Sequence, residues 1–200
     1  MTQLEIMGAN AKNASVFLRT AGSKKDDALL AIAKALREHS DEIIKANEID
    51  IENGKNAGLT ESLLDRLRLT PERINGMAEG VEQVAALADP IGNVLEGRTL
   101  KNGLNIEKVR VPMGVIGIIF EARPNVTSDA AALCLKAGSA VILRGGKEAI
   151  NSNLAVSEIM RNAVESVGFP KDCIALVKDT SRQSATELMQ LSDYLDVLIP

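Results

Sequence analysis

Residues 111–148, VPMGVIGIIFEARPNVTSDAAALCLKAGSAVILRGGKE, decide how the rest of the chain is read. Val115 to Phe120 is a continuous apolar run, the pattern of a strand covered on both faces in a parallel sheet. Val126 to Ala137 follows with helical character, carrying Ser128 and Asp129 in its first turn. Gly138 stands just past its end, where a residue able to turn left-handed stops a helix. Ala140 to Arg144 is a second apolar strand. Strand, helix and strand at this spacing make a βαβ unit with parallel strands and a right-handed crossover.

Towards the C-terminus the alternation continues. Asn151 to Val167 reads as a helix, Ile174 to Lys178 as a third strand, and Leu195 to Ile199 as a fourth. Between the last two, Thr180-Ser181-Arg182-Gln183 fits a capping box that opens a helix to about Leu191. The predicted fold class is α/β, with a doubly wound parallel sheet of Rossmann-like type. Ligands of such sheets bind beyond the carboxyl ends of the strands. The sequence stops at Pro200, where the next such loop would begin, so the expectation is a portion of a longer protein with its sheet incomplete at the C-terminus.

Towards the N-terminus the period changes. Leu4, Met7, Ala11, Ala14, Leu18 and Ala21 recur at steps of three and four, and Leu29, Ile32, Ala33 and Leu36 repeat the pattern of an amphipathic helix. Ser40 with Asp41 and Glu42 reads as a helix start, its acids near the positive end of the dipole. Thr70-Pro71-Glu72 is another, an N-cap followed by proline at the first helical position, leading to about Leu87. Gly54, Gly58 and Gly76 punctuate this region. Residues 97–111, GRTLKNGLNIEKVRV, read as two polar strands joined at Lys101-Asn102-Gly103, where Asn-Gly signals a hairpin. The expected organisation is a helical N-terminal part of the cofactor domain over residues 1–96, a hairpin arm over 97–111, and a cofactor-binding sheet over 112–200. The hairpin is either an exposed arm or a surface that pairs with another subunit.

Composition narrows the function. The net charge is −4, with 12 basic and 16 acidic groups in residues 1–100 and 11 of each in residues 101–200. That balance argues against a nucleic-acid module, which needs a basic surface, yet leaves the second half able to hold an anion locally. With no Trp, one Tyr and three Phe, base-stacking platforms are disfavoured. The longest apolar stretch, from Val111 to Phe120, is interrupted by Pro112 and is about half of what a membrane span needs. Neither a membrane partner nor a secretory signal is expected. Cys134 and Cys173 imply no disulfide framework, which points to a reducing, cytoplasmic setting. His39, the single histidine, lies in the polar run REHSDE and reads as solvated, so no histidine-based metal site is expected.

Chemistry is concentrated at two strand ends. Arg144, Gly145, Gly146 and Lys147 follow the second strand of the sheet, where dinucleotide-binding folds recognise the adenosine ribose. Two cations around two glycines suit a phosphorylated ribose, and a charged hydrogen bond there is worth about 1.5–3 kcal/mol. The same residues also read as a glycine turn with solvated charges. Glu121 to Asn125 ends the first strand, where charged groups are costly unless they meet ligand or solvent. Arg123 suits a carboxylate or phosphate, and Asn125 can offer amide donors. The bland reading of this turn is a cap on the next helix.

Residues 111–148, LTESLLDRLRLTPERI and DYLDVLIP together resemble the gamma-glutamyl phosphate reductase family of the aldehyde dehydrogenase superfamily, over essentially all of the sequence. The resemblance implies NADPH-dependent reduction of L-glutamate 5-phosphate to glutamate 5-semialdehyde in proline biosynthesis. A cysteine thiolate displaces phosphate from the acyl carbon, and hydride then reduces the thioester. It implies that Arg144, Gly145, Gly146 and Lys147 lie at the adenosine ribose, and that the turn beginning at Glu121 lies beside the nicotinamide. Arg123 and Asn125 become substrate or oxyanion candidates, although alignment on Pro124 puts Ala122 where the superfamily carries its Asn. The family's nucleophile lies well downstream, in a catalytic domain absent from this sequence, and neither Cys134 nor Cys173 matches it. No catalytic residue and no reductase activity are therefore expected of these residues alone. A homo-oligomer is also implied, and a complex with the upstream kinase is plausible chemically. Two other readings stand: another aldehyde-dehydrogenase-like enzyme, such as an acylating one, or a non-catalytic nucleotide-binding module.

Overall fold

Four parallel strands carry the fold in a computed structural model that describes all 200 residues. β3 (Val115–Ile119) lies between β4 (Ala140–Arg144) and β6 (Val197–Ile199), and β5 (Ile174–Leu176) lies outside β4. β1 (Val94–Thr99) and β2 (Asn105–Val109) form a separate antiparallel hairpin. Val115 pairs with Ala140 and Ile119 with Arg144, so the carboxyl ends of the two central strands meet at one rim. Their side chains from Ala140 to Leu143, with Val115 and Ile116, are buried, as a two-sided apolar run requires.

Pairing trims the expected β3, β5 and β6 by a residue or two and leaves β4 as expected, while the hairpin begins at Val94, ahead of the expected Gly97. Beyond the ends of β3 and β5, the Phe120 amide still donates to the Arg144 carbonyl at 3.0 Å and that of Val177 to Leu143 at 2.8 Å. At the opposite rim the Asp196 carboxylate accepts from the Val115 amide at 2.8 Å. A side chain on Gly114 (φ +111°) would put its Cβ 2.1 Å from that carboxylate oxygen, so only glycine fits there.

α6 (Asn125–Lys136) and α7 (Ile150–Ser166) make the crossovers, and α8 (Arg182–Met189) precedes β6. The N-terminal half supplies α1 (Gln3–Leu18), α2 (Lys24–Glu38), α3 (Ser40–Asn56), α4 (Glu61–Leu67) and α5 (Pro71–Ala86). Thr70 caps α5 as its sequence requires, its Oγ1 accepting from the Arg73 amide at 3.2 Å ahead of Pro71. Gly76 lies inside α5 without interrupting it. α4 is a helix that periodicity alone does not separate from its neighbours.

The cap expected at Thr180 is corrected. Ser181 is the N-cap of α8, accepting from Ser184 at 3.2 Å. The reason is local: Asp179 takes the Ser181 amide at 2.8 Å and its hydroxyl at 3.0 Å, which holds Ser181 at the start of the helix.

One apolar core runs from α1, α2 and α5 through α6 and α7 to the sheet; α1 packs on the strands themselves, while α2, α3 and α5 pack on the crossover helices. A smaller cluster of Ile51, Leu64, Leu67 and Ala149 ties α3 and α4 to the turn after β4. Two buried polar groups fix this region. Asp50 accepts from the amides of Asn151 and Ser152 at 3.1 and 2.7 Å at the start of α7, where a helix terminus favours a carboxylate. Asn47 donates to the Leu67 carbonyl and accepts from the Leu69 amide, both at 2.8 Å. The segment between α4 and α5 is thereby pinned. No helix is long and apolar enough to cross a membrane.

Candidate functional site

Two adjoining clefts open at the carboxyl rim of the sheet. The first, of about 590 Å³, has an apolar side formed by α4 and Phe120, and a polar side of Glu121, Arg123, Arg144 and Glu148. The second, of about 520 Å³, is lined mostly by polar and charged residues and lies between α4, α5 and the start of α6. Arg66 and Arg123 border both.

Arg144, the last residue of β4, reaches across the rim. Its guanidinium donates to the carbonyls of Thr180 and Ser181 at 2.7 and 3.0 Å, and its buried Nε has no protein partner. Asp179 sits below the usual carboxylate range, chiefly because the amide and hydroxyl of Ser181 donate to it, with a smaller contribution from the Arg144 charge. Arg144 is thus a fixed strut with a donor to spare.

The two glycines after it serve tight packing of the chain on itself. A Cβ at Gly145 would lie 2.2 Å from Asn153 Nδ2 and 3.1 Å from the Phe120 ring. One at Gly146 would lie 2.8 Å from Glu148 and 3.3 Å from the Ala122 amide nitrogen. The bend therefore lies directly against the turn after β3. Lys147 is exposed, forms no ion pair and borders neither cleft. Of the expected cofactor residues, Arg144, Gly146 and Glu121 line the first cleft, Gly145 is buried behind them, and Lys147 stands outside.

Glu121 is exposed at the rim, and its carbonyl accepts from the Arg123 amide at 3.0 Å. Asn125 opens α6 and turns its side-chain amide onto Asp129 at 3.0 Å. Burial raises the Asp129 pKa, and the Asn125 bond opposes this less strongly. Arg123 and Asn125 share the second cleft, but the Asn125 amide is already engaged.

Cys134 and Cys173 are buried, and burial pushes both thiols up to about 12. His39 is solvated, with Nδ1 3.3 Å from Glu42. Sequence reading missed Arg66 and Arg68. Its only signal was the run Asp65-Arg66-Leu67-Arg68, indistinguishable locally from the polar face of a surface helix.

The aldehyde dehydrogenase family model matches residues 2–196. The gamma-glutamyl phosphate reductase of Clostridium beijerinckii is 53% identical over 201 residues, covering 100% of this chain and 49% of that protein. The crystal structure of gamma-glutamyl phosphate reductase from Thermotoga maritima superposes with a TM-score of 0.97 at 39% identity, covering 100% of this chain and 48% of that one. The corresponding Saccharomyces cerevisiae structure gives 0.92 at 33% identity, covering 100% and 51%. The chain spans about half the length of the curated relatives it matches.

Proposed function

Because the chain belongs to the aldehyde dehydrogenase family, we propose that the whole protein reduces L-glutamate 5-phosphate to L-glutamate 5-semialdehyde with NADPH, a step of proline biosynthesis in the cytoplasm. These 200 residues supply its cofactor-binding portion. The observation that carries the reading is the rim of β4. There a braced arginine keeps a buried Nε without a partner, next to an unpaired lysine, at the carboxyl edge of a parallel sheet. The likeness to named gamma-glutamyl phosphate reductases supports the choice of substrate.

An orphaned buried donor suits a phosphorylated dinucleotide, since leaving it unmet costs about 1–3 kcal/mol. NADPH, when bound, supplies the hydride. In this reading Arg144 and Lys147 meet the 2′-phosphate, Arg144 from its fixed position and Lys147 from solvent. Gly145 and Gly146 let the bend lie flat against Phe120 and Ala122, with Arg144 lining the cleft before it and Lys147 in solvent after it. Glu121 borders the cofactor from the β3 side. Arg123 is the substrate-side cation, and the Asn125 amide would have to leave Asp129 before serving as an oxyanion donor. The nucleophilic cysteine belongs to neither Cys134 nor Cys173, and the 200 residues alone would turn nothing over.

The exposed hairpin is the proposed contact with a second copy of the chain. Acyl phosphates hydrolyse readily, so direct delivery from the kinase that makes the substrate fits this chemistry. An acylating relative using a thioester is the second reading, and the unpaired arginines at the rim favour the smaller, more highly charged substrate.

Lys147→Gln in the full-length protein should weaken NADPH binding about tenfold or more while changing NADH binding little. Arg144→Gln should do the same and also loosen the segment before α8. Equal losses for both cofactors in a fluorescence titration would overturn the 2′-phosphate assignment.

A further inference from the structure

The second cleft is positively charged in a chain that is negative as a whole. Arg66, Arg68, Arg73 and Arg123 border it, against only Asp65 and Asp129. The four cations are not equivalent. Arg73 is committed to the protein: its guanidinium holds Asp65 Oδ1 at 2.9 Å and the Arg68 carbonyl at 2.8 Å. Arg66, Arg68 and Arg123 have no carboxylate partner and no side-chain hydrogen bond. One of the two acids is therefore paired with Arg73, and the other accepts from the Asn125 side-chain amide.

Three free guanidinium groups facing one polar cleft repel each other unless an anion enters. The exposed side chains of Arg66 and Arg68 spring from a backbone that is itself held in position. Leu64 and Leu67 of α4 are anchored with Ala149, Asn47 clips the chain on both sides of Arg68, and Arg73 ties the end of α4 to the start of α5. Fixing the backbone that carries a cation before its ligand arrives removes part of the ordering cost of binding. Guanidinium forks match phosphate and carboxylate oxygens in pairs. Leu69 and Met77 are the two hydrophobic residues among the ten that line the cleft. Because Arg66 and Arg123 border both clefts, an anion bound here would lie beside the one assigned above to the cofactor.

We propose that Arg66, Arg68 and Arg123 form a recognition site for a small polyanion carrying phosphoryl and carboxylate groups and, resting on the functional reading above, that this ligand is the acyl phosphate substrate. Arg66 and Arg68 are thereby specificity-determining residues, contributed by the helical half of the chain.

The test uses the full-length protein with Arg66→Gln, Arg68→Gln and Arg123→Gln, and Lys34→Gln on the exposed face of α2 as a control. Each arginine variant should raise the KM for L-glutamate 5-phosphate about tenfold or more, with the KM for NADPH unchanged. Raising the substrate concentration should recover part of the lost rate. Arg66→Lys, which keeps the charge without the fork, should fall between. Calorimetric titration with inorganic phosphate gives an independent readout: binding should weaken in the arginine variants and persist in the control, at unchanged circular dichroism. If the protein reduces no acyl phosphate yet binds phosphate through these arginines, the anion site stands and the reductase reading falls. Phosphate affinity and substrate KM within about twofold of the parent in all three variants would overturn the site.

Discussion

Cys134 and Cys173 show how much a residue's setting limits its chemistry. A thiolate is the reactive form, and a thiol raised from 9.0 to about 12 by burial holds almost none of it at neutral pH. In the native chain both should resist a thiol reagent at pH 8 and react only on unfolding. Cys134→Ala and Cys173→Ala in the full-length protein should keep most of its turnover, and a loss beyond about a hundredfold in either would overturn the assignment of the nucleophile elsewhere. The sign of the linkage is definite. The unfolded thiols ionise near their ordinary value and the folded ones do not, so stability declines as pH rises from about 9 towards 12. At this same scale Gly145 and Gly146 were legible as a bend but not in purpose. Their neighbours Asn153, Phe120 and Ala122 come from other parts of the chain, and no local pattern announces them.

Between elements, the most demanding contacts are two buried lysines. Lys25 of α2 donates to Asp89 at 2.9 Å and to the Lys136 carbonyl at 3.1 Å. Lys136 of α6 donates to Asp26 at 2.6 Å and to the Ala85 carbonyl at 2.7 Å. The lysines are almost fully buried, whereas their carboxylates keep about a third of their surface in water. Lys25→Met should therefore cost about 2 kcal/mol in urea unfolding, less than the ~3–5 kcal/mol of a wholly buried pair. At Asp89, burial pulls the pKa upward, but the Ile91 amide and Lys25 outweigh it and leave the value below 3.8. Its contribution is complete above that pH and is lost as pH falls through the lower folded value. Asp89→Asn should flatten the acid limb of the stability curve, and an unchanged limb would refute the account.

Element boundaries followed how sharply the sequence punctuates them. β4 was legible to the residue because Gly138-Ser139 and Gly145-Gly146 bracket five apolar-to-basic positions. α4, at seven residues, is too short to display a helical period. Thr180 lost its cap to Ser181 because Asp179 selects between adjacent hydroxyls. Arg66 and Arg68 stayed invisible as site residues for the same reason as the glycine contacts: only tertiary packing brings α4 beside the end of β3.

At the scale of the molecule, the hairpin stands apart from the core. Every residue of β1 and β2 is exposed, including Leu95, Ile106 and Val109. An isolated two-stranded hairpin is marginal in water, and a partner surface would supply the cover it lacks. Leu95→Asp with Ile106→Asp in the full-length protein should shift light-scattering mass to a smaller species at unchanged helix content. An unaltered mass would rule the hairpin out as the subunit contact.

The seam between the two ends of the polypeptide has a temporal meaning. Gly8 of α1 lies against Tyr194, Lys12 approaches Asp196 at 3.8 Å, and Asp196 secures the first amide of β3. Translation proceeds at about 5–20 residues per second. The contacts that join the opening helix to Tyr194 and Asp196 therefore form only with residues made about ten seconds or more after it.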